Sequence, residues 1–600
     1  MATDLQASLI AELAAPLDAW VRAQGAEPQA ALAPPTREGS DLALACHRYA
    51  RVFRKAPQAI ATDLAAVAAE LPLVAKAEAT AGFLNLHLDW PAVAHKVLDW
   101  AMTDDGALGK GDALAGQKVV IEYSSPNTNK PQHLGHCRNN ILGQTVGTLL
   151  ATVGADVTRV NLINDRGIHI CKSMWAYQRF GAGTTPETSG VKGDHLVGRF
   201  YVQFNDAFTA EYKAATAGMD DAPDQNAWFN GDSTIGAEVR AMLLAWEAND
   251  PAVRALWAQM NGWCEAGFNA TYARMGVHFD RIYKESNTYL LGKDLVASGL
   301  ERGVFHHADN GAVVFDLEKI GLEGEKAVLR ADGTSVYVTQ DLGTATQRHA
   351  DLGFDQMIYV VGNEQDHHFT VLFGILSALD ESLKGRLHHL SYGMVELTTG
   401  RMKSREGTVV DADDLMNELR DAAAEQIREK WPELDEAELN RRAEAIGLSG
   451  LKFFLLKYNP QTTFVFDPKE SIKAEGETGV YCQYAYARAG RILTKLDGAD
   501  AGNTPDWAAL DQPQARAVLT AMLQYPGEIR MAAEAHKPSA ATKAVFNLAK
   551  TFATFYNHPP NNVLKAEPGA QAALAAVVRA AQRMLGGGLA LLGITPLEEM

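Results

Sequence analysis

The chain has little that would anchor it in a membrane, cross-link it, or bind it to nucleic acid through bulk charge. No window among its 600 residues is apolar over the length of a bilayer span. The start, Met1-Ala2-Thr3-Asp4-Leu5-Gln6, has neither the basic region nor the apolar stretch of a signal peptide. Five cysteines, at 46, 137, 171, 264 and 482, stand without paired spacing, which argues against a disulfide framework and points to a reducing compartment. With no cysteine pair and no His-Glu-x-x-His string, no structural metal is expected. Lysine and arginine number 55 against 73 acidic residues, so the net charge of −18 disfavours non-specific nucleic-acid binding. It leaves room for a selective RNA partner met by local aromatic, amide and basic side chains. Internal repeats and low-complexity tails are also missing. These absences describe a cytoplasmic protein with no membrane contact.

What is present is too long for one compact core, and two to four domains are expected. Residues 1–103 are alanine-rich, with helical periodicity over Leu42–Phe53 and Ile60–Ala69 and an alternating strand over Gly82–Leu88. A separate α+β domain is the reading, closed by a polar, glycine-containing linker over Thr103–Asp112. Residues 117–415 alternate strands and helices as in an open, mainly parallel sheet. Val157–Ile163 and Gln356–Val361 read as central strands, and a largely helical insertion occupies about 170–275. From 416 to 600 nearly everything reads as helix, which makes an all-α bundle.

The most informative stretch is Ser124-Ser125-Pro126-Asn127-Thr128-Asn129-Lys130-Pro131-Gln132-His133-Leu134-Gly135-His136. It lies between the β-branched run Val119–Tyr123 and apolar residues at helical spacing over Ile141–Leu150. A strand turning into a helix aims the first helical N–H groups at an anion. Gly135 allows close approach of a ligand, while Lys130, His133 and His136 donate to phosphate oxygens. Taken alone, a His-x-Gly-His string is as often structural as nucleotide-binding. Far downstream, Gly400-Arg401-Met402-Lys403-Ser404-Arg405-Glu406-Gly407 packs three cations and a hydroxyl between glycines, after the strand-like Leu390–Leu397. Alone this is a solvated basic loop; paired with the first motif it is a second phosphate-contacting element.

The two strings in this order resemble the HIGH and KMSKS signatures of class I aminoacyl-tRNA synthetases. Flanking strings narrow the resemblance to the arginyl-tRNA synthetase family: Glu122–Asn127, Arg330–Asp341, Val360–His368 and Tyr481–Arg488. It extends from about Asp41 to Met600. The implied fold is a Rossmann-like parallel-sheet catalytic core (117–415), an N-terminal α+β domain that contacts tRNA (1–103) and an all-α anticodon-binding domain (416–600). The second motif departs from the family pattern: Arg401 stands at its usual first lysine, Ser404 at its second, and Glu406 adds a negative charge nearby. In family members lacking the second lysine, a lysine just before the first motif takes its role, and Lys130 is so placed.

The resemblance implies ligation of L-arginine to its tRNA with magnesium-bound ATP, through arginyl-adenylate, in a monomer that needs tRNA for the first step. It implies phosphate stabilisation by Lys130, His133, His136, Arg401 and Lys403, and ATP contacts from Gly135, Met394 and Ser404. Glu122, Asn127, Tyr337, Asp341 and Gln365 surround the arginine. The chemistry agrees, because a planar guanidinium demands carboxylates in fork geometry. For tRNA the resemblance points to Tyr481, Tyr484, Tyr556 and the terminal Met600 at the anticodon, and to Phe83 and Asn85 at the elbow. Two alternatives stay open. A synthetase for another amino acid is disfavoured by the Tyr337/Asp341 pair with Glu122, and an RNA-binding paralogue with decayed loop chemistry is suggested by Ser404 and Glu406.

Overall fold

The computed structural model describes residues 4–33, 39–289, 291–397, 410–500 and 502–600. Near the N-terminus, strands β1 (Leu42–Ala45), β2 (Val74–Thr80) and β3 (Phe83–Leu88) form an antiparallel sheet in the order β1-β3-β2. Leu84, Leu86 and Leu88 alternate into the core, beneath the helix Pro57–Ala68. The helix expected over Leu42–Phe53 is corrected. Strand β1 is followed by a 3₁₀ turn (Cys46–Tyr49) and one short helix (Ala50–Phe53). Leu42, Leu44 and Cys46 also fit a two-residue repeat, and pairing with β3 selects it. The expected linker Thr103–Asp112 is corrected too. Thr103 caps a short helix, Asp104–Leu108, which lies against the helix Pro568–Leu591 and pairs Asp104 with Arg583.

The central sheet is built from β4 (Lys118–Glu122), β5 (Asp156–Ile163) and β6 (Arg281–Lys284), joined further on by two later strands. Before those strands the chain makes a separate antiparallel sheet of β7 (His306–His307), β8 (Val313–Asp316) and β9 (Glu325–Leu329), which simple strand–helix alternation does not foresee. Strands β10 (Gln356–Gly362) and β11 (Leu387–Tyr392) then complete a five-stranded sheet, order β11-β10-β4-β5-β6, with every pairing parallel. Helix α1 (Leu134–Thr152) connects β4 to β5. The stretch from β5 to β6 is helical and includes α2 (Gly193–Thr216) and α3 (Pro251–Met275); α4 (Tyr337–Leu352) precedes β10. Strand β4 sits between its neighbour in sequence, β5, and the much later β10. That reversal of strand order opens a crevice at the carboxyl ends of the strands, where ligands bind in such sheets.

Beyond β11, strand β12 (Val395–Leu397) pairs in parallel with β13 (Phe464–Phe466). Helix α5 (Ala412–Lys430) begins a helical region that continues through Glu436–Leu456, Gly479–Leu496, Pro513–Glu534, Pro538–Asn557 and Pro568–Leu591. Among the described residues no helix is long and apolar enough to cross a membrane.

Candidate active site

The crevice starts at a strained turn. Beyond Glu122, at the end of β4, Ser124 and Ser125 adopt φ of 78° and 47°, left-handed backbone that costs non-glycine residues on the order of 1 kcal/mol or more each. Buried hydrogen bonds impose it. Ser124 N–H donates to Asn139 Oδ1 at 2.5 Å and Ser125 N–H to Asn161 Oδ1 at 3.0 Å, while the Ser124 and Tyr272 hydroxyls lie 2.6 Å apart. The turn carries the following residues across the end of β5, where Thr128 N–H donates to the Asn164 carbonyl at 3.1 Å. Asn127 and Lys130 are exposed in this segment.

His133 and His136 close the N-terminus of α1 as a reciprocal cap. His133 Nδ1 accepts from Gly135 N–H at 3.1 Å, and His136 Nδ1 accepts from His133 N–H at 3.2 Å. A side chain on Gly135 would press on the His133 ring, a Cβ there lying 3.0 Å from Cε1. Because both Nδ1 atoms are acceptors, each ring is neutral and carries its proton on Nε2. Burial first, and the Lys130 charge second, hold His133 down at about 4. Burial, His133 and Lys130 push His136 well below the ordinary range. The two imidazoles therefore serve as neutral N–H donors beside a helix N-terminus, next to the Lys130 side chain. Val410–Ala412 run antiparallel to this turn: Leu134 N–H donates to the Val410 carbonyl at 3.0 Å and Ala412 N–H to the Gln132 carbonyl at 2.9 Å. Met394 is exposed immediately before β12. Arg401, Lys403 and Ser404 lie outside the described residues.

On the other side of the crevice carboxylates gather. Glu122 is buried and ion-paired with the fully buried Arg348 of α4. Burial pushes the Glu122 carboxyl up, Arg348 opposes it, and Asp341 adds to the rise. Asp341, on the first turns of α4, meets His368 Nε2 at 2.8 Å. Tyr337, one turn earlier on the same face, is 80% exposed. Gln365 is exposed in the 3₁₀ turn after β10. A further acid, Glu285, follows directly on β6 and was not anticipated. Burial raises its carboxyl to about 7, with Arg166 lowering it and Asp165 and Asp341 raising it further. Three carboxylates from β4, β6 and α4 thus share one field, and Arg348 is ion-paired to only one of them. Glu285 escaped the sequence reading because Arg281–Lys284 is a short edge strand without an apolar run. Its only signal was an acid at the end of a strand in a parallel sheet.

With this geometry in hand, comparison with known proteins is decisive. Residues 100–468 match the family described as tRNA synthetases class I (R), catalytic domain; 4–88 match the arginyl tRNA synthetase N terminal domain, and 482–600 the DALR anticodon binding domain. An arginine–tRNA ligase of Porphyromonas gingivalis is 43% identical over 569 residues, covering 93% of each chain. One from Treponema denticola is 42% identical, covering 88% of this chain and 87% of its own. The chain belongs to the arginyl-tRNA synthetase family. The fold agrees with the solved arginyl-tRNA synthetase of Thermus thermophilus, at a TM-score of 0.79 over 99% of this chain and 100% of that one, with 24% identity.

The residues that family resemblance assigns to tRNA divide into three groups. Tyr484, Tyr556 and Met600 line one cavity of about 200 Å³ together with Arg488, Arg491 and Lys495. Arg488 donates to the Tyr484 hydroxyl at 2.5 Å, and its guanidinium lies 5.3 Å from the Tyr556 ring centre. Arg491 and Lys495 were missed, although with Tyr484 and Arg488 they fall three and four residues apart on one helix face. Tyr481 is not part of this group; it packs against Phe546, ring centres 5.4 Å apart. Phe83 and Asn85 share the outer face of β3, Phe83 exposed and edge-on to His47.

Proposed function

We propose that the crevice activates L-arginine with ATP and transfers it to the 3′ end of an arginine-accepting tRNA, releasing AMP and pyrophosphate. The observation that carries this reading is the convergence of Glu122, Glu285 and Asp341 beside a helix N-terminus furnished with Lys130 and two neutral histidine donors. Such a site suits a cation joined to a polyphosphate. Asp341 and Glu285 take the guanidinium, with Tyr337 covering it, while Glu122, Asn127 and Gln365 hold the α-amino and carboxylate end. In the first step the arginine carboxylate oxygen attacks the α-phosphorus and pyrophosphate leaves. In the second, a ribose hydroxyl of the tRNA attacks the acyl carbon and AMP leaves. No protein nucleophile is needed, so positioning and charge stabilisation carry both steps. ATP enters as its magnesium complex and rests by Gly135 and Met394. Lys130, His133, His136, Arg401 and Lys403, with Ser404, stabilise its phosphates.

The reading assigns residues 1–103 and 416–600 to tRNA contact and 117–415 to chemistry, in a cytoplasmic monomer. Its test is ATP–pyrophosphate exchange with arginine, with and without cognate tRNA, and with lysine as control. Exchange is expected only with arginine and tRNA together. A folded, tRNA-binding protein without exchange would favour the decayed paralogue, and exchange with a different amino acid would replace arginine as substrate.

A second expectation follows from Glu285. Its carboxyl titrates at about 7 in the free site, and only the ionised form holds a guanidinium. As pH falls below 7 the protonated fraction grows, so the KM for arginine should rise, approaching tenfold per pH unit. Measured between pH 5.5 and 8.5, this slope should vanish in Glu285→Gln. An equal slope in that variant would remove Glu285 from the pocket.

A further inference from the structure

The insertion between β5 and β6 carries a half-buried polar corner, built on the buried Asp194, that the reaction as described does not use. Lys192 precedes α2, and its Nζ donates to Asp413 Oδ2 at 2.6 Å, to Asp194 Oδ2 at 3.1 Å and to the Thr271 hydroxyl. His195 Nε2 lies 3.1 Å from Asp413 Oδ2 and 3.5 Å from Asp411 Oδ2. Asp194, His195 and Asp413 have the composition of a metal site. The Lys192 ammonium sits among their oxygens instead, so the cluster already contains its cation. Burial would raise Asp413, but His195 and Lys192 outweigh it and hold the carboxyl at about 2.

Two contacts tie this corner to the chemistry. Asp413 follows directly on Val410–Ala412, the segment hydrogen-bonded along Gln132–Leu134. Asp411 caps α5 by accepting from the N–H groups of Asp413 and Asp414 at 2.8 and 3.1 Å. One turn into α2, Gly198 abuts the first motif: a Cβ there would lie 2.9 Å from Pro131 Cδ and 3.6 Å from Lys130 Cα. A single helix end therefore touches Pro131 of the first motif on one side and, through Lys192, Asp413 on the other.

We propose that Lys192 and Asp413 are positioning residues for adenylate formation. Their ion pair fixes Val410–Ala412 against the His133 turn and so holds that turn, with its two imidazoles, in place. This rests on the reading of that turn as phosphate-contacting. Neither residue touches substrate; their effect passes through backbone placement.

The test is pre-steady-state arginine activation in the full chain with tRNA bound, for Lys192→Met, Asp413→Asn, the double variant and Lys192→Arg. Displacing reacting groups by about 1 Å costs on the order of 10²-fold in rate. The expected result is a loss of that order in kcat for each single variant. The KM for arginine and the tRNA affinity should stay near the parent values. Lys192→Met leaves the buried Asp194 without its cation and lowers the melting temperature. Rates are therefore compared per folded enzyme, at a temperature where every variant is folded. The double variant should be little worse than either single one, and Lys192→Arg should recover most of the rate. An unchanged kcat overturns the proposal. So does a loss that merely follows the folded fraction, or additive losses in the double variant. Lys130→Ala and His136→Ala, run alongside, separate the two failures. If they too leave kcat intact, the phosphate-site reading falls; if they depress it while Lys192→Met does not, only the positioning role falls.

Discussion

Asp341→Asn lowers kcat/KM for arginine by on the order of 10³-fold, nearly all of it through KM. The substitution keeps the volume of the side chain and changes only its electrostatics. A guanidinium offers donors alone, and an asparagine amide turns one acceptor oxygen into a donor group, so a repulsive contact replaces an ion pair. Truncating one partner of a buried charge pair costs about 3–5 kcal/mol, which corresponds to a factor of about 10²–10³ or more. Neither neighbouring carboxylate makes good the loss, since Glu122 is committed to Arg348 and Glu285, raised to about 7, is only partly ionised at neutral pH. The tRNA affinity should stay unchanged, because the proposed tRNA contacts are on other elements. Arginine-dependent exchange and tRNA affinity measured on the same preparation check both halves. A change below tenfold in kcat/KM would take Asp341 out of substrate recognition.

Arg348→Met destabilises the protein by about 3–5 kcal/mol at neutral pH, because it strands Glu122 in the interior. The penalty depends on pH with a definite sign. Without Arg348, burial and the Asp341 charge govern Glu122 unopposed, so its folded pKa rises further above that of the unfolded chain. The folded state then binds more protons than the unfolded one across that interval. Stability falls as pH rises through it, and the deficit shrinks toward the ordinary carboxyl range. Adding Glu122→Gln should restore much of the loss, since removing both charges is far less costly than removing one. Thermal midpoints of the two single variants and the double variant at pH 5 and 8 test this. Equal, additive losses at both pH values would show that the pair is not coupled.

What could be read from the sequence was contiguous in the sequence. The first motif is a strand, a turn and a helix start in uninterrupted order, so its residue types and spacing already carried its geometry. Other properties depend on residues far apart in the chain. The neutral state of His133 and His136 follows from burial and from which backbone N–H each ring accepts, and neither is visible in a string. Nothing in the sequence distinguishes Arg348 from any other helix cation; its role appears only where β4 brings Glu122 to it. Nor does the string set Glu285 apart from a surface acid; folding of β6 onto the sheet edge puts it in Asp341's field. The misread stretch at Leu42–Ala45 fails for a related reason: four residues fit either period, and the partner strand that decides lies some forty residues away.

The chain on either side of residues 398–409 is tied into fixed backbone: β12 is paired with β13, and Val410–Ala412 with Gln132–Leu134. In polymer terms these twelve residues span two anchored ends. The entropy of closing such a span grows only with the logarithm of its length, about 0.6 kcal/mol for a doubling. Folding therefore sets almost no upper limit on how many residues lie between the anchors. Under the proposed function, which gives Arg401 and Lys403 a part in the chemistry, the length of this span is held by the reaction and hardly at all by stability.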